Sequence, residues 1–530
     1  MIAQGNHIRR PEDSRMDTAA PFRLYVEDIL DRLAEDPGRE VVVHGERRVT
    51  AGEFRSLVHR AARALRELGL GPGRSVTLLA GNLPETLAAR YAAHLSGCTV
   101  NHLYHKLSAD AQAAIVADVE TRALIADPRY AGRAAELTDN VPVEHVLTLG
   151  PAPLGTDLLA LAAGQEDGPV ASLARAGDIC GIRHTGGTTG HPKGICHTFQ
   201  QQSDLFGARK PDADAHEYRQ LACTTLAHVA GLFADITLRG GGTVVLQDDF
   251  EAGAVLEAVE REGITHMFLL PPLLYQLLDH PASATTDLSS LRSLVYGGCA
   301  ASPARLIDAT RRLGPVLSQF YGQSEVGGIS MLMPEDHDPA RPELLRSAGR
   351  IVDGVEVAIR DEEGRDLPPG ERGEICVRSR QAMQGYWKQP ELTAKVLRDG
   401  WIHTGDVGYL DENGYLTVAD RLKDMIIVVG GHVYTSELED LLNSHPDVLQ
   451  SAVFGVRDAD RTEQVHAVVV PRPGAGVDEE ALRTLVREAR GAMYEPARIS
   501  FAGSLPLTEA GKPDKNALRR AAEETAGVAA

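Results

Sequence analysis

The sequence predicts an α/β fold: a large N-terminal domain of parallel α/β sheets with a small β subdomain, followed by a small α+β C-terminal domain. Three observations carry the prediction. From residue 22 to about 298, short apolar runs alternate with longer segments of helical periodicity, the pattern of strands joined by crossover helices. From Gly349 to Val377 the pattern becomes short strands with Gly/Pro turns, GVEVAIRD and then DLPPGERGEICVRS. At Asp420–Asp424, DRLKD forms a charged linker between two apolar runs, which divides residues 22–421 from residues 422–530.

Composition narrows the class of partner. A chain of 530 residues, 43% hydrophobic, is long enough for two or more packed domains. Its net charge of −20 argues against nucleic acid or an anionic membrane surface. The six cysteines (Cys98, Cys180, Cys196, Cys223, Cys299, Cys376) show no C-x-x-C pair and no metal-ligand spacing, as expected of reduced, mostly buried thiols in a cytoplasmic protein. No run of about 18 apolar residues suggests a membrane span. Residues 1–21 are polar, without the apolar core of a signal peptide, and read as a disordered lead-in; Met16 is a candidate alternative start. Only eight of the 54 basic residues are lysine, which draws attention to where Lys193, Lys423 and Lys512 stand.

In chain order, Val41–His44 and Arg47–Val49 flank a Gly-Glu turn and predict a short hairpin. Thr50 and Glu53 form a capping box ahead of Phe54, Leu57, Val58, Ala61, Leu65 and Leu68 at helical spacing, with Gly69 as the stop. Ser75–Ala80, Ala123–Ala126 and His145–Leu149 are strand candidates, and Pro84 opens a helix. His94, His102 and His105 read as structural or surface histidines. Gly242–Leu246, His266–Leu270 and Ser293–Gly298 continue the strand–helix rhythm, with a helix from about Ala252. Ser436 and Glu439 form a second capping box opening the C-terminal part, which continues with strands Val448–Val456 and Gln464–Val470 and helix Glu479–Arg490.

The chemistry concentrates in a few stretches. Thr185–Gly194, TGGTTGHPKG, sets four glycines and three threonines around one lysine. Glycines let backbone N–H groups approach an anion, while hydroxyls and an ammonium complete the cradle. It is not a Walker loop, because Lys193 lies between Pro192 and Gly194. Leu294–Ala300, LVYGGCA, sets glycines at a strand end, where parallel sheets commonly bind ligands. Gln319–Gly328, QFYGQSEVGG, carries a tyrosine, a hydroxyl and a carboxylate together; a carboxylate with phosphate oxygens is an ordinary Mg²⁺ environment.

TGGTTGHPKG resembles the phosphate loop of the adenylate-forming superfamily: acyl- and aryl-CoA ligases, non-ribosomal adenylation domains and beetle luciferases. Those proteins usually have Ser where Gly186 stands. QFYGQSEVGG, about 130 residues on, is similar to the family's Y-G-x-T-E, with Ser324 for Thr. MQGYWK, WIHTGDVGY, DRLKD and Gly511-Lys512 are similar to family segments in the same order, and the resemblance spans about residues 22 to 525.

The resemblance implies ATP and Mg²⁺ as cofactors and assigns roles. Thr185, Gly186, Gly187, Thr188, Thr189, Gly190, Lys193, Gly298, Tyr321, Gly322, Asp406 and Arg421 would bind nucleotide. Within that set Tyr321 stacks on adenine, while Asp406 and Arg421 hold the ribose. Ser324 bonds phosphate, Glu325 holds the metal, Lys512 is the catalytic lysine, and Lys423 is the hinge of a mobile C-terminal domain. His228, Ala230, Gly231, Gly297, Cys299 and Ala300 would line the acid pocket.

The implied activity is formation of an acyl-adenylate from a carboxylic acid and ATP, with release of pyrophosphate, then acyl transfer to CoA. Neutral Ala227, Val229, Cys299 and Ala300 suggest an aryl or medium acyl acid. Leu221–Leu232 lacks the acid that would pair an α-ammonium, which argues against amino-acid substrates. Two departures keep other acceptors open: an amine, a carrier protein or nitrite-dependent chemistry. The family's Gly-Gly-Glu-Asn reads Val429-Gly430-Gly431-His432, and MYEPAR puts Glu495 where CoA ligases often have lysine. A non-catalytic nucleotide or acyl binder is the remaining alternative, opposed by the joint presence of Lys512, Glu325 and Asp406.

Overall fold

A computed structural model describes residues 22–185, 193–207, 212–428, 431–457, 463–508 and 512–526. Two large mixed sheets sandwich a layer of helices. In the nine-stranded sheet the strands run, in space, Arg350–Ile351, Gly327–Leu332, Leu317–Gln323, Ser293–Gly297, His266–Leu269, Arg219–Ala222, Thr243–Leu246, Glu40–His44 and Arg47–Thr50. Its central members from Leu317–Gln323 to Glu40–His44 are parallel, and antiparallel arms close both edges. The eight-stranded sheet has Ile179–Thr185 beside Thr99–His102, then Ser75–Leu79 and Ala123–Ala126, all parallel, with Lys193–Thr198 and Gly385–Tyr386 added antiparallel at the other edge. Runs such as SVTLL, ALIA and TVVL are buried at every residue, as strands covered on both faces require.

The helices between the sheets share one core with both, from Val42 and Val244 on one side to Val76 and Ile125 on the other. Helix Pro84–Leu95 at its centre is buried at every position, so each of its polar residues needs a partner. Glu85 pairs with Arg47, Arg90 with Asp235, and the His94 ring lies 2.9 Å from the Tyr25 hydroxyl. His94 is therefore structural, as expected. Thr50 and Glu53 form the expected capping box.

The expected capping box at Ser436 and Glu439 does not form. Helix Thr435–Asn443 starts two residues earlier than that box requires, with Tyr434 as its N-cap. Tertiary partners take both side chains instead: Ser436 Oγ donates to Ala419 O, and Glu439 accepts from Val453 N at 2.7 Å.

The β subdomain is a five-stranded sheet built on Gly373–Ser379 and Trp401–Leu410, with Leu416–Arg421 at its side. After it comes a separate core. Strands Val448–Arg457, Glu463–Pro471 and Arg498–Phe501 pack with helices Thr435–Asn443 and Glu479–Arg490 through Leu438, Val453, Val469, Leu482 and Val486. All six cysteines are free thiols, five of them buried. Among the described residues, no helix is long and apolar enough to cross a membrane.

Candidate active site

The two large sheets and the C-terminal unit meet at the glycine-rich strand ends. Ser293–Gly297 ends against Leu317–Gln323 so tightly that a Cβ at Gly297 would fall 2.2 Å from Phe320 O. At Gly322 it would fall 2.4 Å from Gly327 O. Gly298 follows with φ +90°, a left-handed turn natural to glycine. These glycines let the strand ends approach one another within one small volume.

Tyr321 and Asp406 come from different sheets and meet here. The Tyr321 hydroxyl donates to Asp406 Oδ2 at 2.7 Å, and Gln323 Nε2 donates to the same oxygen at 2.7 Å. Arg421 Nε lies 3.3 Å from Oδ1. Asp406 is only 3% exposed, so these donors keep a buried carboxylate satisfied while its remaining lone pairs stay available. The role of Gln323 was not anticipated from sequence, although it lies inside the recognised pentapeptide.

Glu325 has its Oε1 held by the Tyr386 hydroxyl at 3.0 Å, and its backbone carbonyl accepts from Met383 N at 2.7 Å. The second carboxylate oxygen has no described partner, which suits a cation that also takes phosphate oxygens and water. Burial pushes the His197 pKa down to about 4, while the neighbouring Ser324 backbone acts the other way. Lys193 Nζ sits 5.7 Å over the Tyr386 ring, so the start of this strand reaches the same cluster.

From the C-terminal unit comes Lys512. Its side chain approaches Gly298, where an added Cβ would lie 3.8 Å from Lys512 Cε. Burial lowers its pKa, and the neighbouring Arg421 cation lowers it further, while Cys299 and Asp406 act the other way. Thr508 steadies the approach: its amide donates to Lys512 O at 2.6 Å, and its hydroxyl accepts from Lys512 N at 3.2 Å.

His228 stands at the N-cap of helix Val229–Gly240, with its ring 6.5 Å from that of Tyr104. Burial, then the Arg183 and Lys512 cations, push its pKa down to about 4, so it is neutral. Gly231, one turn on, packs so closely that a Cβ would meet Leu226 O at 2.1 Å. Ala230 is buried, Cys299 partly buried and Ala300 exposed, so these expected pocket residues differ widely in access. An acid does stand on this helix, Asp235, but it is spent on Arg90 and Tyr91.

Lys423 follows strand Leu416–Arg421 in a turn closed by Asp424 N and Met425 N, both donating to Arg421 O at 2.9 Å. Burial lowers its pKa, and the nearby Arg421, Lys193 and Arg519 charges add to that. Thr185 ends its strand opposite Lys193, while Gly186, Gly187, Thr188, Thr189 and Gly190 lie outside the described residues, as do Val429 and Gly430. Within the C-terminal unit Glu495 is held by Arg487 at 2.7 and 2.8 Å and by Arg483 at 3.1 Å. These bonds, Arg487 first, bring its pKa down to about 2.

Two α/β sheets joined at glycine-lined strand ends, with a lysine delivered from a separate small unit, define a two-part nucleotide-handling ligase. The chain belongs to the AMP-binding enzyme family: that family matches residues 30–387, and the AMP-binding enzyme C-terminal domain matches residues 437–512. It is an ATP-dependent acid ligase.

The chain is 37% identical to the medium/long-chain-fatty-acid–CoA ligase FadD8 of Mycobacterium tuberculosis, over 94% of this chain and 90% of that protein. It is 34% identical to a feruloyl-CoA synthase of Amycolatopsis sp, over 92% and 97%. Among solved structures, the amide bond synthetase McbA from Marinactinospora thermotolerans superposes with a TM-score of 0.86 at 42% identity, covering 93% of this chain and 99% of that one.

Proposed function

We propose that this chain joins an aryl or medium acyl carboxylic acid to ATP, forming an acyl-adenylate and pyrophosphate, and then transfers the acyl group to CoA. The observation that carries this reading is Lys512, from the C-terminal unit, lying beside Gly298, Cys299 and Asp406. Attack of the carboxylate on the α-phosphate gathers negative charge, and a fixed ammonium in a water-poor site stabilises it without reorganisation. Glu325 would hold Mg²⁺, whose chemistry is to neutralise phosphate charge. Tyr321, Asp406 and Arg421 would position the nucleoside, and the loop around Thr188 would hold phosphates. His228, neutral, would border the reacting acid.

In this reading the C-terminal domain, residues 422–530, then turns about Lys423 against residues 22–421, and the enzyme works in the cytoplasm. An amine acceptor is the second reading. Glu495 and its two arginines favour it, because the carboxylate occupies guanidinium groups that would otherwise suit a CoA phosphate. The similarity to an amide bond synthetase supports it as well. Mass spectrometry of products from ATP, an aryl/alkyl acid panel, and CoA or amines in parallel tests both. Thioesters alone support the first reading and amides alone the second; no pyrophosphate with any acid would sink both.

A further inference from the structure

Strand Trp401–Leu410 does not pair evenly with Gly373–Ser379. Cys376 stands opposite His403, but Glu374 stands opposite Val407. Three residues, Thr404, Gly405 and Asp406, therefore oppose Ile375 alone, and the strand bows out in a bulge. Bulges of this kind re-aim a side chain beside a site. Here Gly405 takes φ +67°, which glycine adopts without strain, and the next residue is Asp406.

The bulge is held at several points. Thr404 Oγ1 donates to Ile375 O at 2.6 Å and accepts from Asp406 N at 3.1 Å. Thr404 O accepts from Gln323 Nε2 at 3.0 Å, and Gly405 O accepts from Leu422 N at 2.9 Å. The Gly405 amide goes to a side chain of the paired strand: it donates to Glu374 Oε1 at 3.1 Å. The other oxygen of that carboxylate, Oε2, lies 2.7 Å from His403 Nδ1, just before the bulge. One side chain thus spans the bulge from its start to its middle.

Among the described residues no other hydrogen-bond or ion-pair partner takes Glu374. Arg360 stands opposite it in strand Val355–Arg360, yet its guanidinium goes to Asp366 at 2.8 Å and lies 4.6 Å over the Trp401 ring. What the bulge carries is the Asp406 carboxylate. Gln323 Nε2 bridges Thr404 O and Asp406 Oδ2, so a shift of the bulge passes directly to that carboxylate. A misplacement of about 1 Å can cost about 10²-fold in rate.

We propose that Glu374 is a positioning residue that fixes this bulge through the Gly405 amide and the His403 ring, and so sets where Asp406 meets the nucleotide. The proposal rests on the reading of Asp406 as a ribose-holding group and adds a residue that acts through it. Losing the carboxylate leaves the Gly405 N–H without its acceptor and lets the bulge relax.

The test compares wild type with Glu374→Leu, which keeps the bulk and removes both acceptors, and with Glu374→Gln, which can still accept from Gly405. Asp406→Asn and the double variant Glu374→Leu/Asp406→Asn complete the set. Pyrophosphate release gives kcat and KM for ATP, 2′-deoxy-ATP and 3′-deoxy-ATP. Hydrogen exchange read by mass spectrometry follows Trp401–Leu410, and thermal melting follows the whole chain. Glu374→Leu should raise the KM for ATP about 10- to 100-fold and lower the preference for ATP over the deoxy nucleotides, with kcat changed less and Glu374→Gln intermediate. The double variant should be little worse than Asp406→Asn, because both changes act through one carboxylate. Trp401–Leu410 should exchange faster in Glu374→Leu at an unchanged melting temperature.

An unchanged KM and preference, or full additivity with Asp406→Asn, would overturn the proposal. So would an equal loss of kcat for all three nucleotides with a lower melting temperature, which is general destabilisation. If Glu374→Leu does not fold, Glu374→Asp, too short to reach Gly405 and His403 together, is judged by the same criteria. If Asp406→Asn leaves the nucleotide preference intact, the ribose reading fails, while exchange of Trp401–Leu410 still decides whether Glu374 fixes the bulge.

Discussion

The Tyr321 hydroxyl donates to Asp406 Oδ2 at 2.7 Å, tying the end of one large sheet to the β subdomain across a carboxylate only 3% exposed. Tyr321→Phe removes that donor and leaves Asp406 with Gln323 and Arg421. Loss of a hydrogen bond to a charged group costs about 1.5–3 kcal/mol. We expect a lower denaturant midpoint by equilibrium unfolding and a raised KM for ATP, with kcat less affected.

Glu325 keeps one carboxylate oxygen on Tyr386 and leaves the other open. Glu325→Gln preserves an acceptor for Tyr386 but removes the charge a metal requires. Adenylation should weaken and need more Mg²⁺, read as pyrophosphate release across a magnesium titration. Gly186→Ser should be tolerated, since Ser is the usual residue of the resembling loops. Wild-type behaviour of Glu325→Gln would remove the metal assignment.

In the proposed mechanism the Lys512 charge serves only the first half-reaction, so Lys512→Ala should slow adenylation by about 10²–10³ and leave conversion of supplied acyl-AMP largely intact. Wild type should also show an alkaline limb. The folded pKa of Lys512 lies below the ordinary value of 10.5, mainly through burial, so the ammonium is lost earlier as pH rises. Adenylation therefore falls with increasing pH through a midpoint below 10.5, and Lys512→Ala lacks that limb. Equal impairment of both half-reactions would count against the assignment.

Among the described residues nothing accepts from the Lys423 amide, while Leu422 and Asp424 on either side are bonded. Proline at 423 therefore removes no described hydrogen bond and restricts φ alone. Lys423→Pro should form acyl-AMP at a rate close to wild type, with final product strongly reduced, compared in one sample with melting checked alongside. Both half-reactions intact in a folded variant would mean that the pivot lies elsewhere.

Glu495→Ala would release Arg483 and Arg487 of the C-terminal unit. If CoA is the acceptor, its KM should fall, and the gain should shrink as salt is raised. An unchanged KM would argue that this face does not meet the CoA phosphates.

Much of this molecule was legible before any coordinates. Buried strands such as ALIA and helix Glu479–Arg490 lie where local pattern puts them, because fully apolar runs and strong helical periodicity leave few alternatives. The Ser436 box failed because a side-chain cap is a weak preference, overridden once Ala419 O and Val453 N offered tertiary partners.

Glycines, Lys512, Glu325 and Asp406 marked the proposed nucleotide site through residue type and order along the chain. Other features required the fold. Tyr386 and Gln323 became visible as partners of Glu325 and Asp406 only when separate strands were brought together. Arg90 looks in sequence like any other arginine of a helix. Folding brings it against a buried aspartate, Asp235, from a helix 145 residues further along the chain. Local pattern records which residues prefer water; which buried charge lacks a partner depends on the distances between segments far apart in the chain, and only tertiary packing sets those.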